Sequence, residues 1–269
     1  MLLLVDLDGV VYRGRAPVPG VAEVLRRRAA AGDRVMYVTN NSRSHRDEYH
    51  ARLAEMGLPL GDNGIITAAR ATALLLAETD PRPQRVMVLG GPGLAREIRD
   101  VGLRVVPPTE RGLAADPDAV AVGVDFSLSY ARLSVAAEAV RRGARFVATN
   151  RDPVYPAAER LTAGAGAIVA AVEVAAGRKP DLVVGKPMPR LFETAAELGG
   201  VHMHDAVVIG DNLVTDIAAA HTVGARSILM LTGVTTAEEL ASAPKDTHPT
   251  AVARDASDLE RALARMAAD

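Results

Sequence analysis

The run LLLVD at 2–6, followed by VAEVLRRRAAAG at 21–32 and RVMYVTN at 34–40, decides the fold. The outer two segments are short and apolar, while the middle one carries a helical period and stops at glycine. This β-α-β rhythm predicts a mostly parallel sheet covered on both faces. A polar helix follows from about Ser44 to Met56, closed by Gly57. The rhythm returns in DLVVG (181–185), PRLFETAAELGG (189–200), AVVIGD (206–211), NLVTDIAAAHTVG (212–224) and RSILML (226–231). Leu191, Ala195 and Leu198 fall at i, i+4 and i+7, and the pair Gly199-Gly200 is a natural helix stop.

Between these halves lies a second set of strands: RVMVLGG at 85–91, RVVP at 104–107, AVAVGVD at 119–125 and RFVAT at 145–149. Leu133, Ala137 and Val140 mark a helix that ends at Gly143. Pro81 and Pro83 punctuate the entry to this region, and the segment from Gly177 to Pro180 its exit. The expected architecture is α/β, with a Rossmann-like core formed by 1–79 and 181–269 and an inserted α/β domain over 80–180.

With 269 residues, 49% of them hydrophobic, the chain can bury a sizeable core. Its 31 basic and 33 acidic residues nearly balance, so no broad field favours nucleic acid or an anionic membrane, and recognition of an anion must be local. The absence of Cys excludes disulfides, thiolate catalysis and Cys-based metal sites. The N-terminal apolar run is interrupted by Asp6 and Asp8 and lacks a basic flank, which argues against a signal peptide. No run approaches the ~20 residues of a membrane span. A cytoplasmic protein is the expectation.

Four stretches supply different parts of a phosphate-ester chemistry: DLDGVVYRG (6–14), VTNNSRS (38–44), GKP (185–187) and GDNLVTDI (210–217). Asp6 and Asp8 lie two apart at a strand end, where open α/β sheets place their ligands. Asp6 can attack phosphorus as a nucleophile, and Asp8 can protonate the leaving oxygen and then take a proton from water. Gly9 permits the turn that follows. Thr39, Asn40 and Asn41 offer a hydroxyl and amides to phosphate oxygens, although such residues also serve ordinary turns. Lys186 provides a point charge for the phosphoryl group and for the nucleophile's carboxylate. Asp6, Asp211 and the backbone carbonyl of Asp8 fit the few-carboxylate habit of Mg²⁺. Asp216 can orient a ligand of that ion, or serve only as a helix-start carboxylate.

The ordered set DxDGVxxxG, TNNS, VGKP and GDxxxTDI resembles the haloacid dehalogenase superfamily, specifically its NagD-like, 4-nitrophenylphosphatase branch. GVDFSLSYARL (123–133), GARFVATNRD (143–152) and GAGAIVAAVEVAAGRKP (164–180) are similar to the cap of that branch. The resemblance implies Mg²⁺ as cofactor, an aspartyl-phosphate mechanism, and the roles above for Asp6, Asp8, Thr39, Asn40, Asn41, Lys186, Asp211 and Asp216. Asp8 argues against a dehalogenase, which lacks that acid.

The resemblance also directs the search for substrate selectivity to 150–166, with Asn150, Arg151, Asp152 and Tyr155 as substrate-binding candidates. Tyr155 falls where related pyridoxal phosphatases carry a substrate-contacting His, which weighs against vitamin B6 phosphate. The expected substrates are small phosphorylated metabolites: sugar, glycerol or glycolate phosphates, or nucleoside monophosphates. Phosphotransfer to another acceptor and a non-catalytic phospho-ligand sensor are the rival readings. The resemblance admits a homodimer through the cap, with neither nucleic acid nor membrane as partner. Helix N-terminal amides in GAGAIVAA could face an anion, or its small residues could serve close packing.

Overall fold

The computed structural model describes residues 1–61, 63–156 and 161–268. They form two compact units, one of Met1–Thr39, Tyr49–Ile66 and Lys186–Asp269, the other of Asn40–Glu48 and Thr67–Gly185.

The first unit is built on a sheet of six strands, ordered Ala251–Ala253, Arg226–Met230, Ala206–Gly210, Leu2–Val5, Arg34–Thr39 and Ile65–Thr67, of which the first five run parallel. Leu2–Val5 is central and wholly buried, which is why it reads as an unbroken apolar run instead of an alternation. Leu2 is in register with Ala206 on one side and Arg34 on the other, so chain segments some two hundred positions apart meet at the middle of the sheet. Leu3, Val5, Val207, Ile209, Ile228 and Met230 pack against Val24 and Leu25 of helix Val21–Ala30 and Leu259 and Leu263 of helix Ala256–Ala268. Phe192 and Leu191 on helix Arg190–Gly199 are also buried. That helix ends at Gly200, whose φ of 62° is the left-handed stop expected of a glycine there.

The second unit carries a five-stranded parallel sheet in the order Leu182–Val183, Arg145–Ala148, Ala119–Val122, Arg85–Leu89 and Arg104–Val106. Four of these strands fall where the apolar runs predict them, while Leu182–Val183, expected to belong to the core, pairs instead with Arg145–Ala148 in this sheet. Val120, Val122, Phe146 and Ala148 join Val135, Val140, Val169 and Val172 from helices Tyr130–Arg141 and Ala165–Ala176 in a separate core. An antiparallel pair, Val154–Pro156 with Leu161–Ala163, stands apart from the sheet.

The packing boundary falls at Thr67, well before the expected 80, and at Gly185, a few residues past the expected 180, and the second unit also takes in Asn40–Glu48. The cause is an ion network. Glu97, wholly buried on helix Pro92–Asp100, accepts the Arg46 amide at 3.0 Å, pairs with the Arg46 guanidinium and lies 3.6 Å from Arg70. His45 Nε2 reaches Asp100 at 2.9 Å. The segment is thereby tied to partners about fifty positions downstream.

Candidate active site

Asp6 is the residue after the central strand, and its amide continues the ladder by donating to the Ile209 carbonyl at 2.8 Å. Lys186 reaches it from the far half of the chain: Nζ lies 2.5 Å from Asp6 Oδ1, 2.6 Å from Asp216 Oδ1 and 3.3 Å from the Val38 carbonyl. Asp211 follows strand Ala206–Gly210. One carboxylate oxygen each from Asp6, Asp211 and Asp216 lie within 4.8 Å of one another. The sheet topology explains the convergence: parallel strands present all their carboxyl ends at one edge.

Three carboxylates around one ammonium shape the local charge. Burial drives the Asp6 carboxyl well above its ordinary range; Lys186 opposes this, while Asp216 and Asp211 reinforce it. Asp211 is pushed up to about 7, mainly by burial and then by Asp216, with the Val234 amide and Lys186 pulling it down. Lys186 is raised: burial favours its neutral form, but Asp216 and Asp6 outweigh that. A buried set of carboxylate oxygens with excess negative charge fits a hard divalent cation, which takes oxygen donors.

Asp8 lies in the turn beyond Asp6. Gly9, at a φ of 85°, donates its amide to the Tyr12 carbonyl at 2.7 Å and makes the predicted sharp bend. A side chain at Gly9 would also collide with the Asp211 carboxylate, so the glycine is required twice over. The carboxyl of Asp8 is raised by burial, against Arg52 and Lys186. Arg52, which sequence reading passes over, stacks its guanidinium 3.6 Å from the Tyr12 ring centroid and donates to the Gly14 carbonyl. The Asp8 carboxylate is not among the three that cluster. Asp216 sits in a π-helical turn, Leu213–Ile217, ahead of helix Ala218–Thr222. It is buried, and its second oxygen accepts the Asn212 amide at 3.2 Å. Its pairing with Lys186 goes beyond what a helix-start carboxylate requires.

Thr39 ends strand Arg34–Thr39 in the first unit and is buried. Asn40 and Asn41 belong to the second unit, where they join the residues expected to select substrate. Asn40 Nδ2 donates to both Asp152 carboxylate oxygens at 3.1 Å, and Asn150 Nδ2 donates to the Asn40 carbonyl at 2.7 Å. Asn41 Nδ2 donates to Tyr155 Oη at 3.3 Å. Arg151 turns instead to Glu173, 2.5 Å away. Positions 157–160 of the selectivity stretch 150–166 lie outside the described residues. The GAGAIVAA segment packs closely: Gly166 and Gly164 donate their amides to the Asp152 and Pro153 carbonyls, both at 2.9 Å. The alternative in which these amides face an anion is therefore set aside.

Sequence reading also passes over Phe126. It is 59% exposed, meets Tyr155 edge-on at 5.4 Å between ring centroids and has the Arg43 guanidinium 4.7 Å over its ring. With aromatic residues at 3% of the chain, the lone ring in GVDFSLS was the available signal.

The chain is similar to known proteins over nearly its whole length. A family model described as haloacid dehalogenase-like hydrolase matches residues 3–104, and one described as HAD-hydrolase-like matches 183–259. D-glycerol 3-phosphate phosphatase of Mycobacterium tuberculosis is 38% identical over 259 residues, covering 96% of this chain and 70% of that one. A p-nitrophenyl phosphatase from Archaeoglobus fulgidus superposes with a TM-score of 0.88 at 32% identity, over 97% of this chain and 98% of its own. The structure of a glycerol phosphate phosphatase from M. tuberculosis in complex with magnesium gives 0.85 at 37% identity, over 96% and 75%. The chain belongs to the haloacid dehalogenase-like hydrolase family. Within that family it falls in the NagD-like branch.

Among the described residues, no helix is long and apolar enough to cross a membrane.

Proposed function

We propose that this protein is a Mg²⁺-dependent phosphatase that hydrolyses small phosphomonoesters through an aspartyl phosphate on Asp6. The observation that carries the reading is the placement of Lys186 Nζ against both Asp6 and Asp216, with Asp211 alongside, at the carboxyl ends of parallel strands.

Asp6 Oδ attacks phosphorus and the ester oxygen departs, taking its proton from Asp8. Asp8, now ionised, takes a proton from water as that water attacks the phosphorus of the aspartyl phosphate; inorganic phosphate leaves and Asp6 is restored. Lys186 holds the Asp6 oxygen in place and offsets charge on the phosphoryl group. Asp6, Asp211 and the backbone carbonyl of Asp8 would hold the cation, with Asp216 behind them. Bound there, Mg²⁺ supplies the positive charge that lets neighbouring carboxylates stay ionised together and neutralises the phosphate.

Thr39, Asn40 and Asn41 are assigned to phosphate binding. Asn150, Arg151, Asp152 and Tyr155 are assigned to recognition of the leaving group. Glycerol phosphate is the favoured substrate, in keeping with the activity for which the M. tuberculosis relative is named, with sugar phosphates next. Phosphate release from a panel of phosphomonoesters, with Mg²⁺ or EDTA, tests the reading. Selective release that requires Mg²⁺ and disappears in Asp6→Asn is expected. No release from any ester by folded protein would overturn it, and transfer to an added alcohol in place of release would make the chain a phosphotransferase.

A further inference from the structure

The loop after strand Arg226–Met230 reaches Asp211 through several separate contacts. Val234 donates its amide to Asp211 Oδ2 at 2.6 Å, and Thr235 donates its amide to the Asp211 carbonyl at 3.0 Å. Thr235 Oγ1 accepts the Leu213 amide at 3.1 Å, so the same residue holds the Asp211 carbonyl and the chain two residues further on. Thr232 Oγ1 donates to the Gly9 carbonyl at 2.6 Å, joining the loop to the turn that carries Asp8. Gly233 lies against the carboxylate itself. A Cβ built there would overlap the Cβ, Cγ and Oδ2 atoms of Asp211, yet Gly233 is not among the glycines in the left-handed region. What this position requires is therefore room, not backbone freedom.

We propose that loop 231–235 is the positioning element for the Asp211 carboxylate, orienting it for a divalent cation through the Val234 amide, the Thr235 bonds and the bare face of Gly233. The proposal rests on the cation site proposed above and extends it to residues that touch neither cation nor substrate.

The physical need is plain. Asp211 stands beside Asp6 and Asp216, and like charges favour rotation of its carboxylate away from them. Fixing Oδ2 on an amide fixes the plane of the group before any cation arrives. Mg²⁺ demands near-ideal octahedral geometry, so a small rotation of one donor costs affinity. Outer partners of metal ligands are typically worth about 10–100-fold in metal affinity. A mobile or mispointed Asp211 is the expected result of removing the brace.

The test uses the full-length chain without substrate and Mn²⁺ as the probe, its free concentration followed by electron paramagnetic resonance. Gly233→Ala and Thr235→Val should each raise the Mn²⁺ dissociation constant about tenfold or more. The thermal midpoint of Thr235→Val without metal should stay within a few degrees of wild type, and Thr235→Ser, which keeps the acceptor for Leu213, should bind as wild type does. Asp211→Asn is the control for the site itself. Wild-type binding in Gly233→Ala and Thr235→Val, alongside loss in Asp211→Asn, would overturn the brace and leave the cation site standing. Wild-type binding in Asp211→Asn would remove the site and the brace together. Weakened binding that tracks a collapse of the metal-free midpoint, unrescued by Thr235→Ser, would overturn the proposal in favour of a general packing role. If Gly233→Ala does not fold, the Thr235 pair decides alone.

Discussion

Lys186 and Asp216 form a buried ion pair, Nζ to Oδ1 at 2.6 Å, and the same ammonium bonds Asp6 at 2.5 Å. One cation thus serves the proposed nucleophile and the carboxylate beneath it. Replacing Lys186 by Met leaves two buried carboxylates without their partner. Breaking one side of a buried pair costs about 3–5 kcal/mol. Lys186→Met should therefore lower the denaturant midpoint substantially, as well as abolish phosphate release. A variant with wild-type stability would show that the ammonium is not needed to hold these carboxylates in the fold.

Asp8 is expected to matter in proportion to how poor the leaving group is. Loss of a general acid typically costs about 10²–10⁴-fold. Asp8→Asn should impose a loss of that order on alkyl phosphates, while 4-nitrophenyl phosphate, whose anion leaves unaided, should still give a burst of nitrophenolate. Because the variant cannot activate water well, turnover after the burst should be slow. Equal losses on both esters, with no burst, would contradict the acid role.

Cation affinity should fall as pH drops through neutrality. Burial and Asp216 push Asp211 up to about 7, so in the metal-free protein this carboxyl gains a proton as the pH goes from 8 to 6, and the cation must displace it. A single competing proton weakens binding by about tenfold over that interval. Mn²⁺ titrations at the two pH values, without substrate, measure this directly. An unchanged dissociation constant would mean that Asp211 is ionised throughout.

Glu97 carries no proposed chemistry, yet its replacement should be costly. It is wholly buried and meets the Arg46 amide and guanidinium, with Arg70 at 3.6 Å. Glu97→Ala removes the acceptor of the Arg46 amide and the carboxylate beside Arg70, while the Arg46 guanidinium keeps Asp100, at a cost of about 1–3 kcal/mol. Denaturant unfolding of the full chain reads the loss, and a change below about 1 kcal/mol would show that water replaces the carboxylate freely.

Much of this was legible in the sequence where chemistry coincides with a strand end. Asp6, Thr39, Lys186 and Asp211 each follow an apolar run, and strands announce themselves by such runs. The role of loop 231–235 was not legible, because its hold on Asp211 is made largely by backbone amides, which any residue supplies. Nor was the attachment of Asn40–Glu48 to the second unit, which depends on His45 and Arg46 meeting Glu97 and Asp100 about fifty positions away. The short pair Val154–Pro156 and Leu161–Ala163 offers too few residues for an alternation to stand out. Phe126 and Tyr155 are 29 positions apart, and only tertiary packing sets their rings edge to face.

The register of Leu2 against Ala206 has a consequence for biosynthesis. Strand Leu2–Val5 must wait for a neighbour encoded two hundred codons later, whereas nearly all of the second unit is contiguous from Thr67 to Gly185. Contacts of such long sequence separation form late because loop closure is costly, and contiguous regions fold as they emerge. During translation the inserted unit is therefore complete while the catalytic sheet is still open along one side of its central strand. Truncated or stalled chains ending before Ala206 would leave the wholly buried run Leu2–Val5 without its neighbour on one side, an exposed apolar edge of the kind chaperones cover.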